Sequence, residues 1–476
     1  MGAIGRALAV LGWFALIHQI LIYIAIYKRY KRISRLPSLT RADDIVVYTQ
    51  QETYNQPNKE IKIKQQKKRR KSNSRNVPQD TNLLLNIPLY GSSVYIKRGT
   101  NSLTNLKLLD VHCEKLIQGD PAYVKKTKMI LAKHKKVVFK PKIYLSLAKS
   151  CDRLIKSRGY VMNVSKEERE FPIAYNIIMH HDIEMAERLL RSIYRPSNIY
   201  CIHVDGKSPI NLFKAMSGLA KCFDNVIMAS HRSTVRWGQY SVFQAELTCM
   251  DDLLKYKNWK YLINLAGQDF PLKTNLGIVR ILRAFRGANS VSGAPFSGKV
   301  WKSRMSKTGT PISDIVLKKG SQHILASRKF ITYIRTAPKA LQFADWLKKA
   351  KHPHETFFNS LCFSPQLNIS GCYKGKREQL LEKEAMARYK IWSTDGVKCS
   401  GKWKRSICIF GMKELPGLTK APHLFSNKHL SDYQPVTLDC LEKWLFDKIH
   451  NEQQEKSSNI NLSFYINQDF VRNQIP

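Results

Sequence analysis

Polar residues that can transfer protons or hold a ligand follow four apolar segments in the middle of the chain. They are His180–His181, Asp205, Ser230–His231 and Gly267–Gln268–Asp269. Imidazole and carboxylate side chains serve as general acids, general bases and hydrogen-bonding groups. If the apolar segments are parallel strands of one sheet, their carboxyl ends meet at one edge, where such sheets bind ligands. We therefore expect a binding or catalytic site at that edge.

The apolar segments alternate with helical patterns, which predicts the elements that position these residues. Strands are predicted at 173–181, 198–205, 225–230 and 260–267, and helices at 184–194, 209–221 and 241–256. This alternation is typical of βαβ units around a largely parallel sheet, so the predicted fold class is α/β. The second half of the chain is less regular and contains short aromatic-rich segments.

Several motifs with known chemistry are absent from the sequence. It contains no GxxxxGK[ST], GxGxxG, HExxH or GxSxG pattern, which removes support for P-loop, dinucleotide-binding and common hydrolase functions. It also contains no D-x-D pair, the usual carboxylate device for holding a divalent ion on the pyrophosphate of a nucleotide sugar. A nucleotide-sugar enzyme with this sequence would need another source of positive charge.

The composition is strongly basic. The 476 residues include 79 Lys and Arg against 36 Asp and Glu, a formal net charge of +43 at pH 7. A hydrophobic fraction of 43% supplies a substantial core and excludes disorder throughout the chain. Charge of this size indicates an anionic partner, such as nucleic acid, a membrane surface, a nucleotide or an acidic glycan.

One uncharged segment near the N-terminus has the length of a membrane span. Residues 7–27 carry no formal charge and as a helix would cross a ~30 Å hydrocarbon core. We predict a cytoplasmic tail at 1–6 and an uncleaved signal-anchor at 7–27, with a cleaved signal peptide as the alternative. The positive-inside rule favours the opposite orientation, because five basic residues follow the segment: Lys28, Arg29, Lys31, Arg32 and Arg35.

Residues 28–110 are predicted to form a basic, flexible stem. Gln, Asn, Ser, Thr and Lys dominate this stretch, and its hydrophobic periodicity is poor. The KKRRK run at 67–71 is similar to a nucleic-acid-binding patch, but behind a membrane anchor a solvated tether is the better interpretation. A folded domain at 111–450 and a C-terminal tail at 451–476 complete the predicted organisation.

The cysteines indicate an oxidising compartment. All ten lie C-terminal to the predicted anchor, their number is even, and no CxxC pair occurs, which speaks against a zinc ribbon or a thioredoxin-like site. Scattered cysteines of this kind fit structural disulfides formed in a lumen. Acceptor sequons for N-glycosylation at Asn163, Asn368 and Asn461 are compatible with that location.

Four longer stretches together resemble the core-2/I-branching β-1,6-N-acetylglucosaminyltransferases. They are FPIAYNIIMHHDIEMAERLLRSIYRPSNIYCIHVDGKS (171–208), YLINLAGQDFPLKTNLGIVR (261–280), RSICIFG (405–411) and HLFSNK (423–428). The resemblance covers about 110–445. It implies a GT-A-like glycosyltransferase fold with a Rossmann-like nucleotide-binding sheet, a type II Golgi membrane protein with a lumenal catalytic domain, a UDP-GlcNAc donor and an inverting reaction that needs no metal.

The resemblance also implies roles for individual residues in the reaction. Inversion at an anomeric carbon requires a base that deprotonates the acceptor hydroxyl. Glu355 occupies the place of the family's catalytic glutamate, where the usual Pro-Asp-Glu reads Pro353-His354-Glu355. The leaving group develops charge on the β-phosphate, and Arg405 and Lys428 fall on the family's two phosphate-binding positions.

Further implied roles concern the nucleoside and the acceptor. Asp205 matches the aspartate that accepts a hydrogen bond from uracil N3–H, and Ile178 supplies a main-chain contact to the base. Trp237 stands where a family tyrosine stacks near the nucleoside, and Trp392 aligns with an aromatic platform for the acceptor sugar. The family's charged acceptor loop falls in SVSGAPFSGKVWKSR (290–304), which keeps only Trp301 and nearby lysines.

Eight cysteines align with family disulfides, and Cys362 and Cys372 are extra residues able to form a fifth pair. The implied pairs are Cys113–Cys440, Cys151–Cys222, Cys201–Cys249 and Cys399–Cys408.

Two classes of function follow from these observations. The first is a Golgi enzyme that adds β-1,6-linked GlcNAc to a galactose- or GalNAc-containing glycan, a glycoprotein O-glycan or polylactosamine. Within this class another donor, UDP-xylose or UDP-glucose, is an alternative. The second is a non-catalytic protein that binds heparin or nucleic acid through its basic surface. We favour the first, with UDP-sugar, glycan and Golgi membrane as partners, no nucleic acid, and a homodimer as a further hypothesis.

Overall fold

The structure is a computed structural model, and it describes residues 93–98, 103–105, 109–374, 379–455 and 460–476. The predicted cytoplasmic tail and signal-anchor, and most of the predicted stem, lie outside these residues. Within the described ranges, no helix is both long and apolar enough to span a membrane.

The described ranges contain fifteen β-strands and seventeen α-helices. The strands are β1 (Val94–Lys97), β2 (Leu103–Asn105), β3 (His134–Lys136), β4 (Ile173–Met179), β5 (Ile199–Val204), β6 (Val226–Met228), β7 (Tyr261–Ala266), β8 (Phe270–Pro271), β9 (Ala294–Pro295), β10 (Lys318–Lys319), β11 (Leu325–Ser327), β12 (Arg388–Tyr389), β13 (Lys402–Lys404), β14 (Ile407–Ile409) and β15 (Phe425–Ser426). The helices are α1 (Cys113–Gln118), α2 (Pro121–Ala132), α3 (Pro141–Leu147), α4 (Cys151–Arg158), α5 (Lys166–Glu170), α6 (Ile183–Ile193), α7 (Ile210–Ala220), α8 (Tyr240–Leu254), α9 (Asn275–Ala284), α10 (Gly298–Met305), α11 (Arg328–Thr336), α12 (Pro338–Trp346), α13 (Phe357–Cys362), α14 (Leu415–Lys420), α15 (Val436–Glu455), α16 (Leu462–Ile466) and α17 (Asp469–Arg472).

A five-stranded sheet with the order β11-β7-β4-β5-β6 forms the centre of the fold. Strands β7, β4, β5 and β6 are parallel, and β11 pairs antiparallel with β7. Helices α6, α7 and α8 connect the parallel strands in turn. Almost every residue of β4, β5 and β7 is buried, as expected for strands covered on both faces. The predicted α/β class and parallel sheet are therefore confirmed.

The strand order places a topological switch point between β4 and β7. The chain moves outward from β4 to β5 and β6, and then returns across β4 to form β7. The adjoining carboxyl ends of β4 and β7 open a crevice of the kind that binds ligands. Gly267 follows β7, and its N–H donates to the carbonyl of Ile178 at 2.9 Å. A Cβ on Gly267 would lie 2.9 Å from the Cβ of Met179, so only glycine permits this approach.

Strand β4 is shorter than predicted because the chain turns at its end. Asp182 takes a left-handed conformation with φ 57°, and its side chain accepts a hydrogen bond from the N–H of Met185 at 3.1 Å. Asp182 thereby caps α6. His180 and His181 lie between strand and helix, at the edge where the sequence places a site.

A buried carboxylate joins the central sheet to a second sheet, which has the order β12-β15-β8. Asp269 follows β7 and is fully buried. Its Oδ2 accepts from the N–H of Ala266 at 2.8 Å and from Nε of Arg388, in β12, at 2.9 Å. Its Oδ1 accepts from Nδ2 of Asn427, directly after β15, at 2.7 Å. Asp269 therefore sets the position of the β15 end relative to the parallel sheet.

Helix α6 is buried along its whole length and carries charged residues into the core. Glu187 pairs with Arg158 of α4 at 2.5 Å, and Arg188 pairs with Asp439 of α15. The charges of Arg158 and the neighbouring arginines outweigh desolvation and lower the pKa of Glu187 to about 2. These ion pairs connect α4 and α15 to α6.

Two predicted domain boundaries need correction. Strands β1 and β2 lie within the predicted stem at 28–110 and pair with each other, and β1 also pairs with β3. The hydroxyl of Tyr95 in β1 donates to Oδ2 of Asp439 at 2.9 Å, which ties this strand to the core despite the polar composition around it. The predicted tail at 451–476 contains α16 and α17, whose Tyr465 and Phe470 are buried.

All ten cysteines form disulfides. The four pairs that the family resemblance implied are present, and the two extra cysteines pair with each other: Cys113–Cys440, Cys151–Cys222, Cys201–Cys249, Cys399–Cys408 and Cys362–Cys372.

We expect Asp269→Asn to lower the free energy of unfolding by about 3–5 kcal/mol, because it leaves the buried guanidinium of Arg388 without a counter-charge. The matched control is Asp251→Asn. Asp251 pairs with Arg335 through two hydrogen bonds, but its side chain is 49% exposed, so its loss should cost less than about 1 kcal/mol. Denaturant unfolding of the two variants measures the difference, and equal shifts would contradict the role assigned to Asp269.

Candidate active site

Asp205 lies at the end of β5 with a fixed side chain and one available oxygen. Its N–H donates to the carbonyl of Met179 at 2.8 Å, and its Oδ1 accepts from the N–H groups of Lys207 and Val235, each at 3.0 Å. The residue is 6% exposed. Oδ2 lies 3.8 Å from Nζ of Lys207, beyond hydrogen-bond distance, and so keeps its lone pairs for a ligand donor.

Trp237 connects the Asp205 region to two other parts of the site. Its side chain is 72% exposed and makes an edge-to-face contact with the ring of His352, with 4.6 Å between centroids. The guanidinium of Arg405 lies 5.7 Å from the Trp237 ring. The carbonyl of the next residue, Gly238, accepts from the N–H of His352 at 2.8 Å. The loop after β6 therefore contacts residues from three distant parts of the sequence.

Arg405 occupies the tip of a hairpin in a strained conformation. Strands β13 and β14 are joined by the two-residue turn Arg405-Ser406, with φ of 51° and 61°. Positive φ at both positions defines a type I′ turn, which favours Asn and Gly. Two non-glycine residues held in this region mark the turn as a candidate functional element. The turn projects Arg405 into solvent beside Trp237.

Lys428 follows β15 and belongs to a group of cations. Its carbonyl accepts from the N–H of Phe410 at 3.1 Å. Burial lowers the pKa of Lys428, and the charges of Lys404, Arg405 and Lys390 lower it further, against an opposing effect of Asp269. Cations that disfavour one another's charge would be stabilised by a bound anion. The cluster is therefore suited to a phosphate or pyrophosphate group.

Glu355 ends a short 3-10 helix, Pro353–Glu355, and its carboxylate is held by an ion pair. Oε2 lies 2.8 Å from Nη1 of Arg304 in α10, and Oε1 lies 3.9 Å from Nδ1 of His352. The Glu355 side chain is 28% exposed. The main-chain carbonyl of Arg304 also accepts from the N–H of Lys351 at 2.9 Å, so both ends of Arg304 are tied to the segment that carries Glu355.

Two histidines, His352 and His354, lie just before Glu355. His354, at the position where the resemblance implies an aspartate, is 4% exposed, and burial lowers its pKa to about 4. Burial also lowers the pKa of His352, with the charge of Glu355 opposing and that of Arg304 adding to the effect. His352 takes a left-handed conformation with φ 54°, which turns the chain into the 3-10 helix.

Trp392 is half-buried and is held by a carboxylate. Its Nε1 donates to Oε2 of Glu382 at 3.0 Å, and the ammonium of Lys390 lies 5.3 Å from its ring. Oε1 of Glu382 accepts from Oγ of Ser321 at 2.7 Å. The residue before Ser321, Gly320, donates its N–H to the carbonyl of Glu355 at 2.9 Å. Trp392 and Glu355 are thus linked through the segment after β10.

Ile178 and the three sequon asparagines are the remaining residues predicted from the sequence to have a role. Ile178 is half-buried, and its carbonyl already accepts from Gly267, so its contact with a base stays a prediction. The three sequon asparagines, Asn163, Asn368 and Asn461, are exposed.

The expected strand-end cluster forms in part. Nε2 of Gln268 lies 3.4 Å from Nε2 of His181, which joins the ends of β7 and β4. The main-chain N–H of Ser230 instead donates to Oδ2 of Asp252 in α8 at 2.7 Å.

Two contacts were missed from the sequence. The first is the ion pair between Arg304 and Glu355. In the sequence, Arg304 stands out only by its spacing, one helical turn from Trp301. Glu382 gave no signal, because its partner Trp392 is ten residues away across an irregular segment.

Within the described ranges, two groups of side chains are close enough to hold a metal ion. One consists of Cys399, Cys408 and Glu414, but its sulfurs are already joined in a disulfide. The other consists of His352, His354 and Glu355. Asp269 is unsuited to metal binding because Arg388 and Asn427 already occupy its oxygens.

Comparisons with known proteins identify the family of this chain. Residues 173–419 match the family described as Core-2/I-Branching enzyme. The beta-1,3-galactosyl-O-glycosyl-glycoprotein beta-1,6-N-acetylglucosaminyltransferase of Homo sapiens is 37% identical over 367 residues, which cover 71% of this chain and 86% of the relative. The protein of the same name in Bos taurus is 35% identical over 368 residues, with the same coverage of each chain.

A search of solved structures found the mannosyltransferase Ktr4p from S. cerevisiae, with a TM-score of 0.24 and 11% identity over 48% of this chain and 79% of that one. A likeness this distant supports no conclusion about fold or function. The family match and the two relatives do: this chain belongs to the Core-2/I-branching enzyme family.

Proposed function

We propose that the chain is an inverting glycosyltransferase that transfers GlcNAc from UDP-GlcNAc, in β-1,6 linkage, to a galactose- or GalNAc-containing glycan. The observation that carries the proposal is the arrangement around Trp237. Its exposed ring contacts both Arg405 and His352, and His352 lies three residues before Glu355. One aromatic side chain therefore contacts a candidate phosphate-binding cation and the segment that carries the candidate base. The activity for which the relatives are named supports the same reaction.

In this reaction Glu355 acts as the general base. Its carboxylate takes the proton from the acceptor hydroxyl while that oxygen attacks the anomeric carbon, and the bond to UDP breaks on the opposite face. The ion pair between Arg304 and Oε2 holds the carboxylate in one orientation and leaves Oε1 for the hydroxyl. Trp392 provides a flat apolar surface for the acceptor sugar, fixed by Glu382.

The leaving group is stabilised by side-chain cations in place of a divalent ion. Arg405 and Lys428 neutralise the negative charge that develops on the β-phosphate. Oδ2 of Asp205 accepts from uracil N3–H, Ile178 contacts the base, and Trp237 packs near the nucleoside. No metal or other cofactor is required by this mechanism.

We further propose a type II Golgi membrane protein with residues 7–27 as its anchor and the catalytic domain in the lumen. The five disulfides support an oxidising compartment. The exposed asparagines of the three sequons are accessible for glycosylation there.

We expect Glu355→Gln to lower kcat by ~10²–10⁴, because the amide cannot accept the proton, while UDP affinity changes only a few-fold. Transfer to a core-1 glycan and UDP binding are measured on the purified full-length protein, with UDP-xylose and UDP-glucose as alternative donors. The control is Glu170→Gln, an exposed glutamate of α5. A Glu355→Gln enzyme as fast as its parent would remove Glu355 from the mechanism.

Transfer should continue in EDTA, and Arg405→Ala and Lys428→Ala should each weaken UDP binding about ten- to a hundredfold, since a charged hydrogen bond contributes ~1.5–3 kcal/mol. Binding of uridine, which lacks phosphate, should change less. Arg335→Ala, which removes a half-buried guanidinium that pairs with Asp251 outside the site, is the control. Loss of activity in EDTA with recovery in Mn²⁺ would show that an ion, not these cations, holds the pyrophosphate.

Gly238→Ala should lower the transfer rate on the order of 10²-fold, because misplacing the site by about 1 Å has effects of this size. The new Cβ would lie 3.2 Å from the His352 ring, and Gly238 has φ +74°. Gly309 has φ +75° with no atom near its Cβ position, so Gly309→Ala carries the same backbone strain, about 1–2 kcal/mol, without the contact. Equal rates for the two variants would mean that the Gly238–His352 contact does not position the site.

A further inference from the structure

The segment that carries Glu355 brings three metal-ligating side chains together. One ring nitrogen of His352, one of His354 and a carboxylate oxygen of Glu355 lie within 4.8 Å of one another. Ligand atoms around a tetrahedral zinc ion stand ~3.3 Å apart, given bonds of ~2.0–2.1 Å. Side-chain rotations that move each group by about 1 Å would therefore complete the site.

The histidines also carry nitrogens without partners. Nδ1 of His352 and Nδ1 of His354 make no hydrogen bond within the described ranges, and His354 is 4% exposed. A buried imidazole in a structural role normally has its nitrogens hydrogen-bonded, because an unpaired buried polar atom is destabilising. An unpaired nitrogen beside a second imidazole and a carboxylate is the arrangement that a metal ion satisfies.

The carboxylate of Glu355 can join such a site without losing its ion pair. Arg304 contacts Oε2, whereas Oε1 is the oxygen that lies 3.9 Å from His352. The half-exposed side chain of Glu355 and the exposed Trp237 leave a route for an ion from solvent. Arg304, Lys319 and Lys351 are close enough to act on His352 and oppose a cation, so we expect weaker binding than in a closed structural zinc site.

We propose that His352, His354 and Glu355 form an inhibitory binding site for Zn²⁺ or a similar transition-metal ion. The inhibitory part rests on the proposed function, because the ion would occupy the oxygen of Glu355 that accepts the acceptor proton. Imidazole ligands favour Zn²⁺, Co²⁺, Ni²⁺ and Cu²⁺, whereas Mg²⁺ and Mn²⁺ prefer oxygen. The site is therefore selective, and it differs in ligands and effect from a D-x-D site that holds pyrophosphate.

Metal binding is tested on tag-free, full-length protein in detergent, first stripped with EDTA and then freed of EDTA. Titration with Co²⁺, followed by visible absorption, and with Zn²⁺, followed by calorimetry, should give one ion per chain. His352→Gln should weaken Zn²⁺ binding at least tenfold, and His450→Gln, at an exposed histidine of α15, should not change it. Absence of binding, or equal binding by both variants, would overturn the proposal.

His354 is buried, so His354→Gln is a useful second variant only if it still binds UDP as the parent does. If His354→Gln does not bind UDP, the conclusion rests on His352→Gln, because His352 is only half-buried. Because the Co²⁺ spectrum requires no enzymatic activity, this experiment tests the metal site even if the proposed function is wrong.

Inhibition is tested with the parent protein and His352→Gln at matched Zn²⁺ concentrations. Zn²⁺ should reduce transfer, in competition with the acceptor and not with UDP-GlcNAc, and EDTA should restore the parent rate. Mg²⁺ and Mn²⁺ should have no effect. Because His352 helps to position the site, the rate of His352→Gln is expressed relative to its own rate without Zn²⁺, and the variant should require at least tenfold more Zn²⁺ for the same fractional inhibition. Zn²⁺ bound at these histidines without loss of transfer would overturn the inhibitory role, whereas no transfer by the metal-free parent would contradict the proposed function alone.

Discussion

The buried carboxylate of Asp269 is the interaction on which the geometry of the site depends. It accepts hydrogen bonds from the end of β7, from Arg388 in β12 and from Asn427 beside Lys428. A buried charge requires hydrogen-bonding partners in fixed positions, because a missing partner leaves a buried polar group unpaired and destabilises the fold. The parallel sheet presents Asp205 at one strand end, and Asp269 places Lys428 beside another. The proposed nucleoside and phosphate positions are therefore coupled through the core.

The site contains more positive than negative charge. Burial and the charges of Lys404, Arg405 and Lys390 lower the pKa of Lys428. Lys390 is paired with Glu382, and Asp269, which opposes this effect on Lys428, is already engaged by Arg388. In a chain without a D-x-D pair, we propose that this arrangement supplies the positive charge for an anionic ligand. The strained turn at Arg405-Ser406 fits the same interpretation, since strain persists where the surrounding structure and the function require it.

His354, where the family resemblance implies an aspartate, gives Glu355 a different chemical neighbour. Glu355 is still held by Arg304, and its neighbour is now a buried, uncharged ring. The same substitution places a second imidazole near His352 and the carboxylate, which is the basis for the metal site proposed above. Under these two proposals, His354 leaves Glu355 as the base and adds a ligand for an inhibitory ion.

The sequence alone determined the parallel sheet and its connecting helices, because local periodicity and β-rich composition are properties of short segments. Strands β4, β5 and β7 lie where the alternation predicted them, and the family motifs identified Glu355, Arg405 and Lys428 as candidates. Only the tertiary structure decided which distant groups meet. The ion pair of Arg304 with Glu355, the contact of Trp237 with Arg405, and the folding of β1 and α17 onto the core depend on packing between segments far apart in the chain. No local pattern encodes such contacts, since they arise from burial and charge pairing once the whole domain has folded.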